Sequence, residues 1–360
     1  MRSQPLRLPL LVTGAALLVA LLQPGASPIR PQDIGSEDAG VMQAALQKIW
    51  SRSSAGQDVT RDLLQGLESP VPRIRGRCIR LLGHLELNES SDAVASKLRD
   101  PDLYVRIQAA LALRTLRSYR DPGPLLHTLE DPRELARVRA NVAWSLATRR
   151  EPAADAAFAR VAADPTQPEE LRLECLRGLG SQGNPGRAGL LTRVLHSEGE
   201  SRVLRRQAAF SLGRNAAKEA GPALTRLAMD PHREDWLRGD AAFALAYRAT
   251  PPPAGWYRRL LAGADHPLYL RIRAAESLWI LGESPGDVAD LVRAGLGAPE
   301  ADTRHEAAWL ADLDEVIEVR DELAAALQVE PDGRARGQMQ KTLERLHPLE
   351  IGDPDRALLD

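Results

Sequence analysis

Cysteine is nearly absent from this 360-residue chain: only Cys78 and Cys175 occur. Two such thiols make neither a disulfide framework nor a CxxC pair, and they exclude cysteine-held metal clusters and c-type haem attachment on ligand count. Aromatic residues are 4% of the chain, too few for a sheet, which draws on aromatic and β-branched residues. Lysine is scarce too, since Lys48, Lys97, Lys218 and Lys341 are the only lysines among 47 basic residues. The remaining basic residues are arginine, a bias that accompanies abundant Ala, Leu and Pro and reads as coding composition. Against 49 acidic residues the net charge is −2, so no overall field draws nucleic acid or an anionic membrane. The phosphate-loop pattern GxxxxGK[ST] does not occur. The histidines (His84, His127, His196, His232, His266, His305 and His347) share no register. No catalytic, cofactor-binding or metal-ligating constellation is therefore expected.

Long apolar runs are also missing, with one exception at the start. Arg2 and Arg7 precede an apolar run from Leu8 to Leu22, and Gly25-Ala26-Ser27 follows it. A membrane-spanning helix needs about 20 residues, so this shorter run suits a secretory leader or an N-terminal membrane anchor over residues 1–27. No cysteine follows it to carry lipid. The expectation is a protein exported across a membrane, periplasmic or anchored in the inner membrane facing the periplasm, with membrane contact only through this segment. Residues 28–37 read as a Pro-rich linker.

What the chain does have is a repeat, the first thing to seek because it decides the fold. Arg106, Arg139, Arg172, Arg205, Arg238, Arg271 and Arg304 stand 33 residues apart, with Arg75 before them and Arg336 after. Ile74, Val105, Val138, Leu171, Leu204, Leu237 and Leu270 precede the arginine, and Thr303 breaks the column. Three positions on stand Cys78, Ala109, Val142, Cys175, Ala208, Ala241, Ala274 and Ala307. Seven on stand Leu82, Leu113, Leu146, Leu179, Leu212, Leu245 and Leu278, then Ala311. At about 100° per residue these offsets share one side of a helix, which makes them core positions. A shorter apolar-periodic stretch precedes each such helix, as in "GPLLHTL" and "GLLTRVL". Each repeat is thus two antiparallel helices, and stacking buries what neither helix can bury alone.

Asp100-Pro101, Asp131-Pro132, Asp164-Pro165 and Asp230-Pro231 lie between the two helices. Asp suits a helix N-cap and Pro the first helical position. A buried guanidinium without a partner would cost several kcal/mol. The expectation is a structural ladder in which the repeated arginines pair with these aspartates and set stacking register. Cys78 and Cys175 occupy the core offset and read as inert buried thiols.

Quoted in full, "DPDLYVRIQAALAL", "DPHREDWLRGDAAFALA" and "DHPLYLRIRAAESLWILGE" resemble HEAT repeats, and are most similar to the short HEAT-like repeats of the phycobilisome-lyase type. The resemblance implies an all-α fold, an α-α superhelix of about nine two-helix repeats over residues 38–347, with a C-terminal tail at 348–360. Met42 holds the arginine slot at the N-terminal end, and Gln340 occupies a core offset at the other. Both ends read as capping units. In HEAT proteins the second helix lines the concave surface. The fifth offset, facing away from the core, reads Arg80, Leu111, Trp144, Arg177, Phe210, Phe243, Glu276 and Trp309. With Trp279 and His305 beside them, Trp144, Arg177, Phe210, Phe243 and Trp309 make a candidate partner-binding groove, because aromatic and arginine side chains dominate binding hot spots. The alternative is that neighbouring helices cover them.

The function expected is a monomeric, non-catalytic scaffold binding a protein or peptide on that face. A lyase or lyase-chaperone subunit and a nucleic-acid-binding HEAT-like protein are the alternatives, and near-zero net charge disfavours the last. Helical-repeat hydroxylases of the deoxyhypusine type hold iron with several His-Glu pairs, whereas His305-Glu306 is a single pair. The most irregular connection is "ATPPPAGWYRRLL", residues 249–261. It either caps and staples the next helix through Trp256 and Tyr257 or forms a local ligand loop.

Overall fold

The computed structural model describes residues 29–346, so the apolar leader and the C-terminal tail lie outside the described residues. Among the described residues every regular element is helical, as the poverty in β-branched and aromatic residues implies. The described residues divide into two compact units, one ending at Ala112 and the other beginning at Leu113.

The first unit contains α1 (Pro31–Ile34), α2 (Ala39–Ser54), α3 (Thr60–Gly66), α4 (Pro72–His84), α5 (Ser91–Ser96) and α6 (Leu103–Ala112). The segment expected as a linker is partly built into this unit. Proline suits the first turn of a helix, and Pro31 opens α1, whose Ile34 is buried together with Ile29. The Ile29 amide donates to Asp62 at 3.1 Å, and Arg77 donates to the Ile34 carbonyl at 2.8 Å. Two isoleucines in a Pro-rich stretch are enough apolar surface to dock it.

The second unit continues with α7 (Gly123–Glu130), α8 (Ala136–Thr148), α9 (Asp155–Ala163), α10 (Glu169–Gln182) and α11 (Ala188–His196). After these come α12 (Arg202–Arg214), α13 (Ala220–Met229), α14 (Asp235–Ala246), α15 (Ala254–Ala262) and α16 (Leu268–Ile280). It ends with α17 (Ala289–Leu296), α18 (Ala301–Leu313), α19 (Arg320–Val329) and α20 (Gly333–Arg345). In both units short first helices alternate with longer second helices, and every repeat arginine lies on a second helix.

The core sits where the periodicity puts it. Every residue in the columns before, three after and seven after the arginine is buried, from Ile74, Cys78 and Leu82 to Thr303, Ala307 and Ala311. Small residues in these columns let second helices approach closely. A methyl group on Gly213 would stand 2.3 Å from the Ala244 carbonyl oxygen, so the glycine there is required by the approach of α14 to α12. Hydroxyls stitch the second helices together: Ser211 donates to the Leu176 carbonyl at 2.7 Å and Thr342 to Ala308 at 2.9 Å. Cys78 and Cys175 are fully buried and unpaired, and burial pushes the Cys78 thiol up to about 12.

Candidate binding surface

The Asp-Pro turns act differently from the expectation. A residue before proline avoids the helical region, so Asp131, Asp164 and Asp230 take extended conformations and end α7, α9 and α13 instead of starting the next helix. Each then opens a turn whose fourth amide bonds back to its carbonyl, from Glu134, Gln167 and Arg233. Their carboxylates accept from the amide two residues on, at 2.9–3.0 Å from Arg133, Thr166 and His232. They are spent on the turn. Of the four aspartates expected in the ladder, Asp100 is the one seen paired with a repeat arginine: Arg75 donates Nε and Nη2 to its two oxygens at 2.8 and 2.7 Å.

Three of the arginines instead tie their hairpin to the next through the end of that turn. Arg139 reaches the Gln167 side-chain oxygen at 2.9 Å, Arg172 holds both oxygens of Glu200, and Arg205 meets Glu234 at 2.8 Å. Arg304, like Arg75, pairs with the acid that opens the turn before a proline, forking onto Glu330 at 2.6 and 2.7 Å. The same guanidiniums also bond carbonyls left open at the end of their own first helix. Arg139, Arg172, Arg205, Arg238 and Arg271 reach the carbonyl ten residues back, at Leu129, Ala162, Leu195, Ala228 and Leu261. Arg75, Arg106 and Arg304 reach the carbonyls five and six back. The nearest carboxylate to Arg238 is Asp235 of its own helix, at 3.8 Å. The signal for the true partners was present: Gln167 and Glu200 both stand three residues after the start of their turn.

In the second unit, second helices three repeats apart meet. Arg206 on α12 donates to Glu306 on α18 at 2.7 Å, and Arg202 pairs with Asp302 at 2.6 Å. Between them, Arg206 Nε lies 2.9 Å from Asp240, and Tyr269 donates to Asp240 at 2.9 Å. Arg273 lies against Glu276 and is 3.2 Å from Glu306. Asp240, Glu276, Glu306 and Arg273 are all buried. Space for Tyr269 comes from Gly239, where a methyl group would stand 2.5 Å from the tyrosine ring. Three carboxylates, Asp240, Glu276 and Glu306, face the guanidiniums of Arg206 and Arg273 here, and Arg334 reaches Glu306 at 3.3 Å. Burial, opposed by Arg273 and reinforced by Glu306 and Asp240, raises Glu276 well above the usual carboxylate range. Burial would raise Glu306 too, but Arg273, a hydrogen bond with His305 and Arg206 together hold it well below that range. The cluster is a clamp, unforeseen because its members sit in the first, second and fifth offsets of different helices. Only Asp240, Arg273 and Glu306, alternating in sign at the second offset, were visible as a column.

The clamp redistributes the expected groove. Phe243 is 5% exposed, with Phe210, Tyr247 and Trp309 packed edge-on against its ring at 5.3–5.8 Å between centroids. The Arg273 guanidinium lies 3.5 Å from the Phe243 centroid. Phe243 and Glu276 are thus core residues, contrary to an outward-facing column. Trp309 is half-buried against that core, and His305 is held 3.5 Å from Glu306. Trp144 is half-buried beneath Arg114, 4.4 Å from the ring centroid. Of the aromatics expected in the groove, Trp279 is the exposed one, at 44%.

What stays open is smaller. A groove of about 380 Å³ runs across α10, α12 and α14, lined by Arg177, Phe210, Ser211, Arg214, Phe243 and Tyr247 among others. Arg177 is held by Glu174 at 2.8 Å, and Arg214 lies 5.6 Å from the Tyr247 ring. The groove joins Arg177, Phe210 and Phe243 of the expected set and adds Arg214 and Tyr247. It leaves Trp144, Trp279, His305 and Trp309 outside its lining. No group of three His, Cys, Asp or Glu among the described residues is placed to hold a metal ion, and no helix among them is long and apolar enough to cross a membrane.

Residues 60–137 match the family described as HEAT repeats. No curated protein matches the chain. Among solved structures, human deoxyhypusine hydroxylase in complex with glycerol is 19% identical, covering 71% of this chain and 96% of its own, with a TM-score of 0.31. The complex of CpcE and CpcF of phycocyanin lyase from Nostoc sp. is also 19% identical, over 72% and 96%, with a TM-score of 0.38. Importin beta in an ammonium sulfate condition is 11% identical, over 88% and 52%, at 0.44. Scores and identities this low carry no activity across.

Proposed function

We propose that this chain of HEAT repeats is a non-catalytic scaffold that binds an extended polypeptide in the groove between Arg177 and Tyr247. The supporting observation is chemical: two arginines, Arg177 and Arg214, flank an aromatic floor of Phe210 and Tyr247 around the edge of Phe243. Arginine and aromatic side chains are the residue types that dominate binding hot spots. The fit is to a segment carrying an apolar side chain for the floor and a carboxylate for Arg214, since Arg177 is already paired with Glu174. Residues 1–27, with two arginines before an apolar run, support export, so the partner belongs to the periplasm or to the membrane face opening on it.

Selection from a displayed library of random peptides tests the reading. Binders enriched in apolar residues flanked by Asp or Glu are expected, weakened about tenfold or more by Arg214→Glu and by Phe210→Ala. Binders without acidic residues, or binding untouched by both substitutions, would remove the groove from the proposal. Sequencing the N-terminus of the protein recovered from cells, after fractionation, tests export: recovery from the cytosol with residues 1–27 intact would refute it.

A further inference from the structure

A hollow of about 860 Å³ in the second unit lies where α12 leads into α13 and the chain leaves α14. That size falls within the ~300–1,000 Å³ of small-molecule sites. Four cations line it, Arg214, Lys218, Arg226 and Arg248, and no carboxylate does. In a chain with 47 basic and 49 acidic residues, most of whose described arginines are tied to carboxylates or carbonyls, this concentration of one sign stands apart. Lys218 and Arg226 are exposed and have no ion-pair partner among the described residues. Arg248 is different, because it is fixed. Its guanidinium donates to the Leu212, Asn215 and Ala217 carbonyls at 3.4, 3.1 and 3.2 Å. Those bonds leave Nε–H and one Nη2 hydrogen without an acceptor among the described residues. Thr225 adds a hydroxyl to the lining.

Apolar residues share the lining with the cations. They are Leu245, Ala249, Pro251, Pro252 and Pro222. Three of these come from the stretch 249–252 of the irregular Pro-rich connection. Its aromatic half does the stapling instead: Trp256 packs edge-on against Tyr257 at 4.8 Å, and Tyr257 is fully buried. The prolines are thereby free to shape the hollow with rings that lose no side-chain entropy on binding.

From these observations we infer that this hollow binds an organic phosphate, its dianion held by Arg248, Lys218, Arg226 and Arg214 and its apolar body against the proline wall. Guanidinium forks match phosphate oxygens in geometry as well as charge, and a pre-held Arg248 loses little freedom when the anion arrives. The site shares Arg214 with the peptide groove, and its other cations, Lys218, Arg226 and Arg248, do not line that groove.

Isothermal titration of the purified chain with phenyl phosphate, and with inorganic orthophosphate, tests the assignment. Phenyl phosphate is expected to bind one to one, more tightly than orthophosphate and more weakly as salt rises. Lys218→Glu with Arg226→Glu should lower its affinity about tenfold or more without changing the melting temperature. Arg61→Glu with Arg137→Glu, matched in charge on exposed positions, should leave it unchanged. If the first double variant melts early, Lys218→Ala carries the same test. Absence of heat with phenyl phosphate at low-salt millimolar concentration would overturn the site. So would equal losses in both double variants. Equal affinity for orthophosphate would overturn the apolar half of the assignment.

Discussion

Arg206 and Glu306 lie 100 residues apart in sequence and 2.7 Å apart in space. In a stack where each hairpin packs on its neighbours, such a bond closes a loop over three repeats. It makes the second unit cooperative along that stretch and draws its second helices together on the face where the groove runs.

The clamp predicts opposite pH behaviour for two of its carboxylates. Glu276 is raised in the folded state, so it favours folding fully below its unfolded pKa of about 4.3, and that contribution is lost as pH rises toward the folded value. Glu306 is held low, so its contribution is present above about 4.3 and is lost as pH falls. Urea unfolding should show Glu276→Gln matching the parent near pH 4 and gaining on it by pH 8. Glu306→Gln should lose about 3 kcal/mol or more at pH 7, since it leaves two buried guanidiniums short of charge. A Glu276→Gln variant that weakens steadily with rising pH would show that this carboxyl is ionised.

The arginine column is unequal. Arg172 joins Ala162 to Glu200, whereas Arg238 reaches Ala228 and a distant Asp235. Arg172→Met, which keeps the stem, should cost about 3 kcal/mol by leaving Glu200 unpaired. Arg238→Met should cost about 1 kcal/mol, the worth of its carbonyl bond. Paired urea titrations read the difference directly.

Two aromatics from the same expected surface should separate sharply. Phe243→Ala removes a buried ring with three aromatic neighbours and should cost about 3–5 kcal/mol. Trp279→Ala at an exposed position should stay within about 0.5 kcal/mol. Thermal melts of both variants test whether the aromatics form a floor or a row of free anchors.

Gly213→Ala sets two rules against each other. Helix propensity favours alanine by about 1 kcal/mol, but the methyl group would stand 2.3 Å from the backbone oxygen of Ala244. Backbone cannot swing aside as a side chain can, so overpacking of about 1–3 kcal/mol should exceed the propensity gain. A melting temperature above the parent's would show that α12 and α14 have room to separate.

Sequence alone determined the hairpins and their cores. A column such as Val142, Cys175 and Ala208 is local information: helical spacing sends one face inward whatever lies far along the chain. The arginine register was equally legible, because a cation among apolar residues must find an acceptor within one side-chain length. Which acceptor was decided by the turn. Proline in the residue after Asp131 ends the helix there and spends the carboxylate on its own loop, handing the pairing to residues such as Glu200 and Glu234. The clamp, the burial of Phe243 and the cationic hollow came only from tertiary structure. Each depends on how many degrees successive hairpins turn relative to one another. That rotation is summed from many small packing contacts, and it is this sum, written in no single residue, that carries Arg206 to Glu306.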